Sequence, residues 1–298
     1  MGRVTLIANA TAGAGTSGRL LPEVIDAMDD SGLEWSMRRT HRERHATLLA
    51  AEAFKRGDLV VACGGDGTIH EVAQAAVEAD GLMGIIPVGT GNDFARFLGF
   101  PLDDITAAVS ILKAGSERRV DVGEANSEIF CCIVSIGLDA DANDFAHRTS
   151  WLSGDSQYLV AGLRQVAVGS PREFHIEVDG DTTTERAWMI NIANAGAYGG
   201  GMHLIPEADV TDGQLNLLSV APISRLGLLG LMPKIYRGTH TTHSAYRTRI
   251  GRRIHVAEVS GQSLSVYADG ERITSTPVDI RVRPGALRLL MPPSDLTS

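Results

Sequence analysis

Leu59-Val60-Val61-Ala62-Cys63-Gly64-Gly65-Asp66-Gly67-Thr68-Ile69-His70-Glu71 is the stretch that decides the fold. An apolar run rich in β-formers passes straight into a glycine turn. Beyond the turn, Val72, Ala73, Ala76 and Val77 recur at helical spacing. Thr68 and Glu71 read as a capping box at the helix start, the hydroxyl and the carboxylate each covering a free backbone N–H. Glycines at such a turn let N–H groups approach an anion closely, and the helix dipole favours the negative charge.

The pattern recurs one strand later. Ile85-Ile86 leads into Pro87-Val88-Gly89-Thr90-Gly91-Asn92-Asp93, followed by Phe94, Phe97 and Leu98 at helical spacing. One glycine turn is usually only a turn, but two helix-opening turns at one sheet edge can cradle the two ends of a polyphosphate. Asp66 would repel a bare phosphate, so it points to a bridging Mg²⁺, a substrate hydroxyl or a purely local turn role.

Outward from these turns, strands are expected at 4–8, 33–37, 59–62 and 83–86, with helices at 17–30, 43–55, 68–79, 93–98 and 104–113. Alternation of this kind implies a parallel sheet covered by helices, with ligands at the carboxyl ends of its strands. The texture changes after Arg119. Short β-like segments follow at 128–136, 172–179, 187–194, 214–220, 252–257, 263–268 and 278–283, interrupted by helical stretches at 156–168 and 224–236. The reading is α/β, with a nucleotide-binding domain over 1–120 and a β-rich domain over 121–298. A return of the last residues to the first domain stays open.

Composition narrows the function. The 298 residues are 44% hydrophobic and 21% charged, which is globular, and the net charge of −9 excludes a general nucleic-acid or anionic-membrane footprint. Any membrane contact must be local. Arginines cluster at Arg38, Arg39, Arg42 and Arg44 and again at Arg247, Arg249, Arg252 and Arg253. Each cluster reads either as a solvated face or as an anion or lipid-headgroup site. Three cysteines, two of them adjacent, form no disulfide framework and suit a reducing cytosol as buried thiols. No apolar run is long enough to span a bilayer, and the start reads as a first strand rather than a signal peptide.

Other constellations carry competing readings. Gly13-Ala14-Gly15-Thr16-Ser17-Gly18 matches the dinucleotide-binding pattern G-x-G-x-x-G, but no acidic residue closes the second strand, where Arg38 and Arg39 stand. Asp269-Gly270-Glu271 follows a strand and is either a hairpin turn or a source of catalytic carboxylates. Glu207, Asp209 and Asp212 form a carboxylate-rich loop of hard oxygen ligands suited to Mg²⁺ or Ca²⁺. His240 and His243 lack the further ligands that a zinc site needs.

Gly64-Gly65-Asp66-Gly67-Thr68 followed by Pro87-x-Gly89-Thr90-x-Asn92-Asp93-Phe94-x-Arg96 closely resembles the diacylglycerol kinase catalytic-domain family, which includes bacterial lipid kinases and sphingosine kinases. The likeness extends through Asp121-Val122-Gly123, Asp212-Gly213-Gln214-Leu215 and Asp269-Gly270-Glu271. It implies an N-terminal parallel-sheet nucleotide domain of the NAD kinase and phosphofructokinase type, a C-terminal sandwich-like domain, and an active site in the cleft between them. The implied reaction moves the γ-phosphoryl group of ATP, with Mg²⁺, to the hydroxyl of a membrane lipid such as diacylglycerol. The resemblance makes Asn9, Gly13, Thr40, Gly64, Gly65, Asp66, Gly67, Thr68, Thr90, Gly91, Asn92 and Asp93 nucleotide contacts. It makes Glu271 the proton acceptor beside Asp269, with Asp66 as rival base, and sets a structural Mg²⁺ on Asp212 with backbone oxygens of Asp209 and Gln214.

Where the family shows Asn-Pro-x-x-Gly and a basic residue, this chain has Asn9-Ala10-Thr11-Ala12-Gly13-Ala14, which weakens the first turn and makes Arg19 the candidate replacement charge. The partners implied are ATP and a lipid at the membrane surface, with no nucleic acid. A homodimer stays open. The implied location is cytoplasmic with transient membrane contact. The alternatives are an NAD kinase, which shares the Gly-Gly-Asp-Gly-Thr turn, and a non-catalytic nucleotide or lipid sensor.

Overall fold

A computed structural model describes residues 2–9, 16–149 and 155–293. The chain divides into two compact units: Met1–Asp121 with Gly199–Gly201 and Gly285–Ser298, and Val122–Tyr198 with Met202–Pro284.

In unit 1 the elements run β1 (Val4–Ala8), α1 (Thr16–Asp30), β2 (Trp35–Arg39), α2 (His45–Lys55), β3 (Leu59–Gly64), α3 (Asp66–Ala79), β4 (Leu82–Pro87), α4 (Asp93–Phe97) and α5 (Ile105–Ala114). The strands are parallel, in the order β2-β1-β3-β4. Every residue of β1 and β3 is buried, as their continuous apolar runs require of strands covered on both faces. Leu6, Val61 and Ile86 of the sheet share a core with Val24 and Met28 of α1 and Val109 and Leu112 of α5. Burying each such side chain contributes about 1.5–3 kcal/mol.

The register aligns Ala8 with Arg39 and with Cys63, and Gly64 with Pro87, so the carboxyl ends of all four strands lie at one edge. β2 and β3 flank β1 on opposite sides. The strand order therefore reverses between β1 and β3, the place where open α/β sheets bind ligands.

The capping box is not formed. α3 begins at Asp66 with Gly65 at its N-cap and no side-chain cap. The helix starts two residues ahead of Thr68, so that hydroxyl lies inside the first turn and cannot act as a cap. Glu71 instead accepts the N–H groups of Arg44 and Ala46 at 3.0 and 2.8 Å, covering the free donors at the start of α2.

Two strands connect the units covalently. β5 (Ser116–Ala125) leads out of unit 1 and is followed by β6 (Glu128–Phe130), β7 (Ile133–Gly137), α6 (Leu138–Arg148), α7 (Asp155–Val168), β8 (Arg172–Val178), β9 (Asp181–Ala187), β10 (Met189–Ala193), β11 (Ala197–Tyr198) and β12 (Met202–His203). Then come β13 (Leu215–Val220), α8 (Arg225–Tyr236), β14 (Tyr246–Gly251), β15 (Arg253–Glu258), β16 (Ser265–Ala268), β17 (Glu271–Ser275) and β18 (Val278–Met291). β18 leads back: its first half pairs antiparallel with β15, and Arg288 and Leu289 lie parallel to β4.

Unit 2 is a sandwich, as the resemblance implies, and its sheets are built from the short strands that the sequence pattern predicts. One antiparallel sheet has the order β14-β13-β10-β7-β16-β17; against it stand β9, β8, β15 and the first half of β18. Alternate residues of both sheets, among them Ile136, Ile190, Leu217 and Val266 on one side and Phe174, Ile176, Ile254 and Ile280 on the other, form a single core. The strand expected over 128–136 is interrupted at Cys131 and Cys132. Their N–H groups turn out of the ladder to the Asp269 carboxylate.

Glu124 fastens β5 to β18 within this unit. Its carboxylate accepts from Arg281 Nε at 3.0 Å and from Arg283 Nη1 at 2.7 Å. Burial pushes the Glu124 carboxyl up, but the bonds from Arg283 and Arg281 outweigh it and hold the group below its ordinary value. A carboxyl with a lowered folded-state value stabilises the protein above its unfolded value, about 4.3, and loses that contribution as the pH falls through the folded value. Glu124→Gln is therefore expected to lower stability by about 1–3 kcal/mol at pH 7. In urea titrations at several pH values, the gap between parent and variant should close below about pH 4. A gap independent of pH would show that the charge contributes nothing.

Candidate active site

The phosphate-binding candidates of unit 1 are brought together at the carboxyl edge of the sheet. Asn9 donates its N–H to Cys63 O at 3.3 Å, and Thr40 donates its N–H to Ala8 O at 2.9 Å, so both follow directly on their strands, Asn9 beside the turn at Gly64 and Thr40 across β1 from it. Gly13 lies outside the described residues. The Cys63 thiol, at the end of β3, is pushed by burial up to about 12, which makes it an inert core group rather than a nucleophile.

The two glycine turns touch through their backbones. A Cβ on Gly89 would lie 2.3 Å from Gly65 Cα, and one on Gly65 would lie 3.2 Å from Gly89 Cα. Val88 N–H donates to Gly64 O at 3.1 Å. Asn92, at φ 52, folds its amide back on the second turn: Oδ1 accepts from Gly89 N–H at 3.0 Å and Nδ2 donates to Gly89 O at 2.8 Å. Asp66 joins the two turns by accepting the N–H of Phe94 at 3.2 Å.

Three polar groups here have distinct surroundings. The Thr68 hydroxyl is buried and lacks a partner among the described residues, at the amino end of α3 where an anion would be held. Thr90 is exposed in the second turn. Asp93 is 7% exposed and its carboxylate accepts from Gly200 N–H at 3.0 Å and Gly201 N–H at 2.9 Å. Gly199, Gly200 and Gly201 all have positive φ, a run of left-handed backbone that only glycine adopts without strain. Asp93 is thus the anchor of the Gly199–Gly201 turn. Sequence reasoning missed this pairing; the three consecutive glycines were the available signal.

Unit 2 carries the other candidates. Asp269 and Gly270, at φ 48 and 86, form the two-residue turn between β16 and β17, closed by Ala268 opposite Glu271. Two successive positive φ values are those of a type I′ hairpin, for which Asp-Gly is a preferred pair. The Asp269 carboxylate accepts three N–H groups, from Cys131 at 2.7 Å, Cys132 at 2.8 Å and Ile133 at 3.0 Å. Its oxygens are committed to backbone. Glu271 is exposed, and its carboxylate makes no hydrogen bond among the described residues.

The loop before β13 holds Asp209, Asp212 and Gln214. Asp209 Oδ1 accepts from Thr211 N–H and Oγ1 at 2.9 and 2.7 Å, and Asp212 Oδ1 accepts from Gln214 N–H at 2.8 Å. In both aspartates Oδ2 makes no hydrogen bond among the described residues. No set of three or more His, Cys, Asp or Glu side chains gathers as a metal site among those residues.

Comparison with known proteins gives this arrangement a family. Residues 3–125 match the diacylglycerol kinase catalytic domain, and residues 132–291 match the YegS C-terminal NAD kinase beta sandwich-like domain. A diacylglycerol kinase of Mycobacterium tuberculosis is 32% identical over 306 residues, covering 98% of this chain and 96% of that protein. The chain belongs to the diacylglycerol kinase family. A second diacylglycerol kinase, from Bacillus subtilis, is 30% identical over 91% of this chain and 90% of its own length. The fold is shared with a Bacillus anthracis crystal structure described as a diacylglycerol kinase, at 22% identity and a TM-score of 0.76, covering 98% of this chain and 97% of that one. As a member of this family the chain is a kinase that transfers phosphate to a hydroxyl. No helix among its described residues is long and apolar enough to cross a membrane.

Gly89→Ala tests the backbone contact in this diacylglycerol kinase fold. The new Cβ meets main chain, which cannot rotate away, so the turns must separate. Nucleotide affinity measured by calorimetry should fall by roughly tenfold or more, about 1.4 kcal/mol. Gly230→Ala in α8, where a Cβ meets nothing within 4 Å, should leave it unchanged. Equal affinity in all three proteins would remove the two turns from the nucleotide site.

Proposed function

We propose that this kinase moves the γ-phosphoryl group of ATP to the hydroxyl of a membrane lipid of the diacylglycerol class. The observation that carries the reading is the pair of interlocked glycine turns at the reversal of strand order, beside a buried and unpartnered Thr68 hydroxyl. Backbone N–H groups in that place cost no reorganisation when a polyphosphate arrives. Gly64, Gly65, Gly67, Thr68, Thr90, Gly91 and Asn92 contact the phosphates, with Asn9 and Thr40 at the neighbouring strand ends. Asp93 acts by holding Gly200 and Gly201 against the second turn. The acceptor sits at a membrane surface; with a net charge of −9 the contact is local.

Phosphoryl transfer asks the protein for positioning, charge stabilisation and a group that takes the attacking hydroxyl's proton. Glu271 fills the last role in this proposal. Asp269 is bound to three N–H groups and serves as the post that fixes the hairpin; the neighbouring carboxylate of Glu271 is left exposed to receive a proton. Asp66 is tied to the Phe94 N–H and links the turns.

Labelled ATP offered with diacylglycerol, other lipid alcohols and NAD should label a lipid in the parent. A labelled NAD would overturn the reading. General-base removal typically costs about 10²- to 10⁴-fold in turnover. Glu271→Gln should lose that much while nucleotide affinity and melting temperature hold. If Glu271→Gln keeps most of its turnover and Asp66→Asn loses the chemical step, the base is Asp66.

The donor set of the Asp209–Gln214 loop fits a hard divalent cation held by few carboxylates, since Asp212 Oδ2 makes no hydrogen bond among the described residues and the backbone oxygens of Asp209 and Gln214 belong to the same short loop. We assign Mg²⁺ there a structural role: bound, it would neutralise Asp212 and fix the loop ahead of β13. A ligand bound only by the native state raises stability by mass action. Added Mg²⁺ should therefore raise the melting temperature of the parent and not that of Asp212→Ala. An equal response in both proteins would move the cation elsewhere.

A further inference from the structure

Two arginines of the 247–253 cluster are left unused by phosphoryl transfer. β14 is an edge strand, and its register sets Arg249 opposite Leu217 and Arg247 opposite Ser219. Opposed residues of an antiparallel pair share a face, and Leu217 belongs to the sandwich core. Both arginines therefore enter the layer between the sheets at its edge. On the facing sheet Thr183 and Glu185 stand opposite Ile176 and Phe174, again core residues. With Thr184 and Ser219 these side chains line a cavity of about 370 Å³.

The cavity is rich in donors and short of acceptors. Ser219 is 1% exposed and its hydroxyl has no partner among the described residues; Arg249 Nη2 is buried in the same condition. Glu185 is the one carboxylate in the lining. It stands 3.4 Å from Arg247 Nη1 and 3.7 Å from Arg249 Nη2, beyond the 2.7–2.9 Å or so of a well-made charge-assisted bond. Two guanidinium groups against one carboxylate leave an excess of one positive charge. The Arg247 and Arg249 side chains are 56% and 28% exposed, so the cavity is open to solvent.

Inward-pointing charge on an edge strand blocks sheet-to-sheet association, and that explains one arginine balanced by Glu185. It does not explain the second arginine or the orphaned hydroxyl beneath them. A single water could bond Ser219 and Arg249 Nη2. Water, however many molecules fill the open cavity, would leave the excess charge unbalanced.

We propose that this cavity binds a phosphate-type oxyanion, held by Arg247, Arg249 and the Ser219 hydroxyl, and presented either by an acidic phospholipid headgroup or by free phosphate. A singly charged phosphodiester balances the local charge. The two guanidinium forks offer the planar, paired donors that phosphate oxygens take. Glu185 competes with the ligand for both arginines.

The test uses the full chain with its nucleotide site blocked by a saturating non-hydrolysable ATP analogue. Inorganic phosphate is titrated by calorimetry, and binding to phosphatidylcholine vesicles is measured with and without phosphatidylglycerol. Arg249→Gln should weaken binding of the effective probe by roughly tenfold, whereas Glu185→Gln, by removing the competing anion, should tighten it. The analogue's affinity should be unchanged in both. Saturable phosphate binding with these opposite shifts identifies free phosphate as the ligand. Vesicle binding that depends on phosphatidylglycerol and follows the same pattern identifies the lipid headgroup. Should Arg249→Gln misfold, Arg247→Gln at the exposed side of the cavity, set against Glu185→Gln, carries the same opposed expectation. If neither probe responds to the variants, or Glu185→Gln weakens binding, the cavity is a solvent-filled edge and the proposal is wrong.

Discussion

The N-terminal unit of this kinase depends on how closely two stretches of backbone can approach. Gly65 and Gly89 stand so near that a single Cβ on Gly89 would reach to 2.3 Å of the opposing Cα. That contact is possible only because parallel pairing sets Gly64 opposite Pro87, which delivers both turns to one level at the same edge. With the turns in contact, Asn92 closes the second turn on Gly89 and Asp66 stitches the first to Phe94 by its side-chain bond. The amino end of α3 is then left with an unpartnered Thr68 hydroxyl at the place where strand order reverses.

Carboxylates that accept backbone N–H groups are the second recurring device. Glu71 covers the start of α2, Asp93 holds Gly200 and Gly201, Asp269 holds residues 131–133, and Asp179 holds the N–H groups of Arg252 and Arg253. Each bonds donors that no helix or ladder uses, and an unbonded buried N–H costs about 1–3 kcal/mol. This explains why a chain with a net charge of −9 keeps acidic side chains at its turns. It also separates the two carboxylates of the Asp269-Gly270-Glu271 turn: one is consumed by architecture and the other remains available for chemistry.

Much of the fold was legible in the sequence, and the misses share a cause. The buried strands β1, β3, β4, β10, β13 and β16 announce themselves by apolar runs because both faces are covered. Of the overlooked strands, β9, β14 and β17 are at sheet edges, where half the residues meet solvent and the alternation fades into Asp181-Thr182-Thr183-Thr184-Glu185 or Tyr246-Arg247-Thr248-Arg249, while β5, which pairs with both β18 and β6, opens on the charged run Ser116-Glu117-Arg118-Arg119. α6 was missed for a similar reason: Asp139, Asp141, Asn143 and Asp144 crowd its apolar spacing. Two of the edge strands missed in this way, β9 and β14, line the arginine cavity.

By itself the sequence determined the α/β alternation, the β-rich second half and the glycine turns, because those rest on local periodicity and on conformations that only glycine and Asx residues adopt readily; its motifs carried the family resemblance. Only the tertiary structure decided which carboxylate meets which backbone. Glu71 and Asp93 illustrate the limit. Spacing suggested a local cap for Glu71 and the resemblance a nucleotide contact for Asp93, and neither showed the backbone partners that lie 25 and 107 positions away along the chain. A hydrogen-bond acceptor carries no mark of the donor it will find; that choice is made by strand register and by the packing that brings distant N–H groups within 3 Å.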